Sequence, residues 1–237
     1  MKSLIDQRVL VLGGSSGIGL ATAKAAADAG AKVTIASRSQ AKLDEALTGL
    51  AATARAVVLD TGDEAAIDRF FAEEAPWDHI VISAAQTASG PVRSLPLPDA
   101  KQAMESKFWG AYRIAHAAKF SERATLTFIT GYLAVRPSAT SVLQGAINAA
   151  LEALARGLAL ELAPVRVNAV SPGLIDTPLW SKMAEETRQG MFTRVAASLP
   201  ARVVGTPEDI ANAALFLMTT PFATGSTVRV DGGGAIA

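Results

Sequence analysis

Short apolar runs alternate with longer Ala-rich stretches along most of the chain. The runs rich in β-branched residues predict seven strands, at Arg8 to Leu12, Lys32 to Ala36, Ala56 to Leu59, His79 to Ser83, Leu126 to Thr130, Val165 to Val170 and Thr227 to Val230. The stretches between them predict helices near Ile18 to Ala29, Gln40 to Leu50, Glu64 to Glu74, Ala100 to Lys119, Val142 to Leu162 and Pro207 to Met218. This alternation is typical of repeated βαβ units.

The apolar runs also indicate how the strands are buried. Val9-Leu10-Val11-Leu12 is continuously apolar, as expected of a parallel strand covered on both faces. We therefore expect an α/β fold in which residues 1–237 form a single doubly wound Rossmann-type domain, a parallel seven-stranded sheet with helices on both faces. Ligands of such sheets bind at the carboxyl ends of the strands.

Composition narrows the class of protein. Lys and Arg together number 22, as do Asp and Glu, so no basic surface for nucleic acid is expected. The first residues and the later apolar stretches are too short for a signal peptide or a membrane span, which favours a cytoplasmic protein without membrane association. There is no Cys, and the two histidines, His79 and His116, lie far apart in sequence, so no metal site is expected.

A glycine-rich segment follows the first predicted strand directly. It reads Gly13-Gly-Ser15-Ser16-Gly17-Ile18-Gly19 and leads into the first helix. Glycines allow the backbone to turn sharply and to approach a pyrophosphate, which the free amides and the dipole of a helix N-terminus attract. At the first strand-to-helix junction of a Rossmann-like pattern, this segment predicts a dinucleotide site rather than an ordinary turn.

Four segments, taken in their order along the chain, carry a resemblance to a known family. Gly13, Gly17 and Gly19 match the TGxxxGxG pattern of the short-chain dehydrogenase/reductase family, with Leu12 in place of the usual Thr. Segments 168–178, 205–211 and 230–233 are similar to its later cofactor loop, to a helix start and to its C-terminal segment. The resemblance implies that Asp60 accepts from the adenine amino group, Ile175 meets the nicotinamide carboxamide and Thr177 touches the diphosphate. It also places Thr61, Ala84, Ala85, Pro172 and Gly173 at the cofactor.

The end of the second strand bears on the choice of cofactor. An acidic residue here would bind the ribose hydroxyls of NAD, but the residues are Ser37-Arg38-Ser39. The Arg38 guanidinium can pair with a 2′-phosphate and both serines can donate, so NADP(H) is favoured over NAD(H). The alternative is a solvated Arg at a helix start, because Ser16 stands where many NADP-dependent members carry a second basic residue.

The family's catalytic residues are expected to be replaced. Alignment of segment 149–161 with the helix after the family's YxxxK pair places Gln144 at the Tyr and Asn148 at the Lys. Counting back places Gly131 at the Ser, and the segment Lys107-Phe-Trp-Gly places Lys107 at the Asn. Because a Gln carboxamide does not titrate in the useful range, the standard proton transfer is not expected, whereas hydride delivery to a cationic acceptor such as an iminium could survive.

Two alternatives concern these positions. Tyr132 follows Gly131 and could form a relocated acid/base pair with Lys107, or Tyr132 could be a pocket wall while Lys107 binds a carboxylate or a backbone carbonyl. Gln144 and Asn148, four residues apart on one helix face, could instead form a neutral hydrogen-bonding pair that orients a ligand.

The chain therefore carries two hypotheses of function. The first is an NADP(H)-dependent oxidoreductase with a non-standard active site, acting on a small carbonyl, alcohol or imine; the second is an inactive NADP(H)-binding sensor or assembly protein. Large apolar residues between Pro178 and Pro200 suit either a lid over a small apolar ligand or an ordinary helical flap. The resemblance also implies a homodimer or homotetramer, and the small-residue ridge of Ala149, Ala153 and Gly157 would permit close helix approach.

Overall fold

A computed structural model describes residues 3–86 and 88–237. Seven parallel strands form one sheet in the order β3-β2-β1-β4-β5-β6-β7. They are β1 (Arg8–Leu12), β2 (Lys32–Ser37), β3 (Arg55–Val58), β4 (Trp77–Ile82), β5 (Phe120–Ile129), β6 (Arg166–Pro172) and β7 (Thr227–Val230). The predicted doubly wound parallel sheet is confirmed.

Eight α-helices connect and cover the strands in the described residues. They are α1 (Gly17–Asp28), α2 (Gln40–Leu47), α3 (Glu64–Glu73), α4 (Leu97–Met104), α5 (Gly110–Ala117), α6 (Val142–Glu161), α7 (Glu185–Ser198) and α8 (Pro207–Thr219). A π-helical turn, Glu105–Trp109, joins α4 to α5, and short 3₁₀ turns lie at Tyr132–Ala134 and Pro178–Trp180. The path from β4 to β5 therefore runs through one long, locally widened helix.

Alternate residues of each central strand face opposite layers of helices. In β1, Leu10 and Leu12 belong to the apolar core on one face, whereas Val9 and Val11 belong to the core on the other. All four are at most 1% exposed, which explains why the strand reads as a continuous apolar run. The sheet thus has a buried apolar core on each face. Side chains that could bind a ligand are therefore expected at the ends of the strands.

Most predicted bounds differ from the structure by up to about three residues, and three elements differ in a more informative way. β5 begins at Phe120 rather than Leu126, because its first residues include the polar Ser-Glu-Arg of positions 121–123, which hide a strand from an apolar pattern. The helix expected at Ala100 to Lys119 begins at Leu97 and contains the π turn. Helix α7 is not among the six helices predicted from periodicity, although a helical flap was one of the two alternatives for the segment between Pro178 and Pro200; among its residues only Phe192 is buried.

No helix within the described residues is both long enough and apolar enough to cross a membrane.

Candidate active site

A cleft of about 1080 Å³ lies at the carboxyl ends of the strands. It is lined by most of the residues that the sequence singled out: Gly13, Ser15, Ser16, Gly17, Ile18, Ser37, Arg38, Ser39, Asp60, Thr61, Ala84, Ala85, Lys107, Gly131, Tyr132, Gln144, Asn148, Pro172, Gly173, Ile175 and Thr177. Gly19 is the exception, because it is buried beneath the turn and does not line the cleft. The nucleotide-binding candidates and the chemical candidates therefore share one cleft.

The glycine turn has no room for side chains at two of its positions. A Cβ at Gly13 would lie 2.6 Å from the backbone nitrogen of Ala84, and one at Gly19 would lie 2.1 Å from the carbonyl oxygen of Gly13. Gly13 and Gly17 also have positive φ values of 80° and 50°, which favour glycine. The turn is consequently packed against the loop after β4, with the start of α1 directed at the cleft.

The end of β2 presents a cation to the cleft. Arg38 donates from Nη2 to the Gln86 side-chain oxygen at 2.8 Å, and the Gln86 backbone nitrogen donates to the Ser106 hydroxyl at 2.9 Å. Ser39 caps α2 by accepting from the Lys42 backbone nitrogen at 3.4 Å. Arg38 thus reaches across from β2 to the loop after β4.

In the loop after β3, the Asp60 carboxylate accepts a hydrogen bond from the loop's own backbone. Asp60 Oδ1 accepts a hydrogen bond of 2.9 Å from the Gly62 backbone nitrogen, and Arg113 donates to the Thr61 carbonyl at 3.3 Å. Arg113 also pairs with Glu105 at the start of the π turn. These contacts connect the loop to the widened helix.

The segment after β6 closes the other side of the cleft. Gly173 is packed so tightly that a Cβ would lie 2.7 Å from Asp231 Cα. The Trp180 indole donates to the Ile175 carbonyl at 2.9 Å, and Ile175 is only 6% exposed. Thr177 approaches the turn: a Cβ added to Gly17 would lie 3.5 Å from the Thr177 Cβ. Thr177 therefore lies against the glycine turn, whereas Ile175 is buried beside Gly205.

Lys107 lies in the π turn and directs its ammonium inward. Nζ donates to the Thr130 carbonyl at 2.9 Å and to Asn148 Oδ1 at 2.7 Å. Burial lowers the pKa of Lys107 to about 8 from its ordinary value of 10.5, because the charged form loses hydration. The contact with a backbone carbonyl matches one of the two alternatives for Lys107; within the described residues, no hydrogen bond joins it to the Tyr132 hydroxyl.

Gln144 and Asn148 lie on the first turns of α6 and face the cleft. Gln144 Nε2 donates to the Ser89 hydroxyl at 2.8 Å, whereas Asn148 is only 4% exposed and binds Lys107. A Cβ at Gly131 would lie 2.7 Å from Asn148 Nδ2. The Asn148 amide thus occupies space that a side chain at position 131 would need.

Sequence reasoning did not assign three of these contacts. The roles of Gln86, of Ser89 and of the Thr130 carbonyl have no local signal in the sequence. They arise because the loop after β4, the end of β5 and the start of α6 meet only in the folded chain.

Comparison with known proteins finds similarity over nearly the whole chain. A family model described as enoyl-(acyl carrier protein) reductase matches residues 13–234. The chain belongs to the short-chain dehydrogenase/reductase family. A short-chain dehydrogenase/reductase of Acremonium sp. is 33% identical, with 97% of this chain and 95% of the relative covered.

Two further relatives are similar over nearly the whole chain. A 3-oxoacyl-[acyl-carrier-protein] reductase of Mycobacterium tuberculosis is 29% identical, over 97% of this chain and 93% of the relative. The crystal structure of a small-chain dehydrogenase in complex with NADPH is 34% identical, with a TM-score of 0.85 over 98% of this chain and all of the other. This member of the short-chain dehydrogenase/reductase family therefore matches its relatives over nearly their full lengths.

Proposed function

We propose that the protein is an NADP(H)-dependent oxidoreductase with a non-standard active site, acting on a small carbonyl, alcohol or imine. The observation that carries this proposal is the single cleft, which is lined at one part by the glycine turn and Arg38 and at another by Lys107, Asn148 and Gln144. Such an arrangement suits a dinucleotide that extends from an adenosine site to a reaction site.

The residues of the cleft fit NADP(H). The free amides at the start of α1 suit a diphosphate, and Gly13 and Gly17 of the turn line the cleft beside them without side chains. Arg38 and Lys42 both line the cleft near the end of β2, and two cations suit a 2′-phosphate better than two ribose hydroxyls. The 34% identical relative in complex with NADPH supports the same assignment.

Bound NADPH would supply a hydride, and the chain would bind and orient the acceptor. Gln144 and Asn148 carry amides, which donate and accept hydrogen bonds without changing protonation state. Lys107 and Tyr132 are titratable groups lining the same cleft, and burial lowers the pKa of Lys107 to about 8. The proposed site therefore relies on positioning and hydrogen bonding more than on the family's Tyr/Lys proton transfer.

We also propose a cytoplasmic homodimer or homotetramer with a small-molecule substrate and no nucleic-acid or membrane partner. Ala149 and Gly157 on α6 are exposed, and a Cβ at Gly157 would have no atom within 4 Å among the described residues. This open ridge would allow a second copy to approach closely.

The test is titration of the protein with NADPH and NADH, monitored by fluorescence, in the wild type and in Arg38→Gln. Loss of a charge-assisted phosphate contact should weaken NADPH binding by about 10-fold to 100-fold and leave NADH binding nearly unchanged. Arg69→Gln is the matched control, because Arg69 is exposed on α3, away from the cleft. Equal weakening of both nucleotides, or no binding of either, would contradict the cofactor assignment.

A second candidate function is an NADP(H)-binding sensor or assembly protein without turnover. It is favoured by the two amides, Gln144 and Asn148, at the positions where the family resemblance expects a Tyr and a Lys. Addition of aldehydes, ketones and imines to the NADPH complex separates the two functions: loss of reduced-cofactor absorbance with any acceptor supports the oxidoreductase, and tight binding without turnover supports the sensor.

A further inference from the structure

Asn148 has a side-chain donor without a partner although the residue is almost completely buried. Its exposed fraction is 4%, and it lines the cleft. Among residues 3–86 and 88–237, none accepts a hydrogen bond from Nδ2. Nδ2 is not among the fully buried unpaired atoms of the described residues, so the atom keeps accessible surface on the cleft and is open to a hydrogen-bond acceptor there. An unpaired amide that faces a ligand cleft therefore points to a ligand atom as the partner.

Lys107 determines which way the amide faces. An ammonium donates hydrogen bonds and accepts none, so the atom 2.7 Å from Nζ must be the Asn148 oxygen. The nitrogen is consequently turned away from Lys107, toward Gly131. The second Lys107 contact, to the Thr130 carbonyl, fixes the ammonium to the end of β5, directly before Gly131.

Gly131 leaves the space that the amide needs. A Cβ at this position would be 2.7 Å from Asn148 Nδ2, which is shorter than an ordinary carbon-to-nitrogen contact, and 3.4 Å from Cγ. The backbone at Gly131, with φ of 161° and ψ of 146°, is extended. The glycine is therefore required by the neighbouring amide and not by its backbone conformation.

We propose that the Asn148 side-chain amide, oriented by Lys107 and accommodated by Gly131, is the hydrogen-bond donor that holds the oxygen atom of a carbonyl substrate. Lys107 is then a positioning residue that acts through Asn148. This inference rests on the proposed oxidoreductase function and narrows its acceptor class to aldehydes and ketones.

The charges around the amide favour an oxygen acceptor over a cation. The Lys107 ammonium is adjacent, and an iminium ion has no lone pair to accept from Nδ2. When a hydride reaches a carbonyl carbon, the π electron pair moves to the oxygen, and a proton from solvent completes the alcohol. A fixed donor stabilises that developing charge. Glu152, four residues along α6, is the nearby carboxylate; it accepts from the Thr130 hydroxyl at 3.3 Å.

The first experiment observes the amide without turnover. The wild-type protein, labelled with ¹⁵N, is saturated with NADP⁺ and titrated with cyclohexanone and with benzaldehyde, which cannot be reduced because the oxidised cofactor carries no hydride. The Asn148 side-chain signal is assigned by its loss in Asn148→Asp. We expect a saturable downfield shift of this signal, which is absent in Gly131→Ala because the added Cβ displaces the amide.

The second experiment replaces the donor by an acceptor of the same shape. In Asn148→Asp, one oxygen can still accept from Lys107, now as an ion pair, while the other faces the substrate oxygen and repels it. We expect NADPH affinity and thermal stability close to wild type, with kcat/KM for the best carbonyl acceptor lowered about 10²-fold to 10³-fold. Asn212→Asp, on an exposed position of α8, is the matched control and should keep wild-type values.

The outcomes separate this inference from the proposed function. If neither NADPH nor NADP⁺ binds, both the proposed function and the inference are wrong. If NADP⁺ binds but neither carbonyl probe shifts the Asn148 signal, or if Asn148→Asp retains wild-type kcat/KM, the inference alone is wrong. A probe-induced shift that Gly131→Ala abolishes supports it even when no acceptor is turned over.

Discussion

Lys107 and His79 are buried titratable side chains near opposite ends of the strands, and they differ in the contacts they make. Burial lowers the pKa of both: that of Lys107 to about 8, and that of His79 to about 4 from an ordinary value of 6.5. Lys107 lies at the cleft. His79, in β4, lines a separate cavity of about 560 Å³ near the starts of the strands, together with Arg166.

The hydrogen bonds distinguish the two environments. The His79 ring contacts the Gln7 side-chain oxygen at 2.6 Å and the Thr125 hydroxyl at 2.8 Å, so both of its nitrogens are used within the fold. Lys107 instead holds an amide whose own nitrogen is left without a partner among the described residues. A lowered pKa therefore does not by itself mark a functional group.

The largest expected effect is on activity. Lys107→Met keeps a long unbranched side chain but removes the ammonium donor that orients Asn148. We expect kcat/KM for a carbonyl acceptor to fall about 100-fold while NADPH affinity is retained. His79→Leu should leave kcat/KM unchanged. Both are measured with the acceptor that the wild-type protein reduces best, or by the affinity of the NADP⁺ complex for cyclohexanone.

Two further observations test whether Lys107 acts through position alone. Lys107→Arg, which can still donate to Asn148 Oδ1, should recover part of the lost kcat/KM, whereas a proton donor with a specific pKa would not be replaced by an Arg. Equal losses in Lys107→Met and His79→Leu would remove the proposed distinction between the two groups.

The sequence predicted most of the fold because the evidence for it is local. The apolar run of β1 and the glycines at 13, 17 and 19 each lie in one short segment. Periodicity did not give the bounds of α7, because only Phe192 of its side chains is buried, and a helical flap was only one of two alternatives there. The early part of β5 was missed because its polar residues conceal the strand. Patterns of period two or 3.6 reveal only elements that bury one face.

The candidate site was predictable only in part, for a related reason. The sequence could place Lys107, Gly131 and Asn148 along the chain, but the contact that joins them requires the π turn, the end of β5 and α6 to meet. The alternative in which Gln144 and Asn148 form a neutral pair illustrates the difficulty. Their spacing on α6 is as expected, yet the structure shows Asn148 bound to a cation on another helix, which no spacing rule could indicate.

The pH dependence of stability should show the two groups in separate ranges. An unfolded His binds a proton below pH 6.5, whereas native His79 stays neutral down to about pH 4, so unfolding becomes easier as the pH falls through this range. This loss in the free energy of unfolding should reach about 3 kcal/mol at most once the pH is below about 4. Unfolded Lys keeps its proton up to pH 10.5 while native Lys107 loses it above about pH 8, so its contribution to stability rises with pH in that range.

Urea unfolding at a series of pH values measures these contributions as differences between variants. His79→Leu should flatten the loss of stability between pH 6.5 and 4 and leave the alkaline range unchanged. Lys107→Met should remove the rise in stability between about pH 8 and 10.5 and leave the acid range unchanged. A His79→Leu profile parallel to the wild type in acid would show that His79 is not held neutral in the native protein.

The smallest expected effect compares two hydroxyls on the same strand. Thr125 and Thr127, both in β5, are fully buried, but Thr125 contacts the His79 ring, whereas the Thr127 hydroxyl has no hydrogen-bond partner among the described residues. Thr125→Val leaves a buried ring nitrogen unpaired and should lower the free energy of unfolding by about 1 kcal/mol. Thr127→Val removes an unpaired hydroxyl and should leave stability unchanged or raise it slightly. Urea unfolding at pH 7 measures both, and an equal loss in the two variants would show that the Thr125 contact does not stabilise the ring.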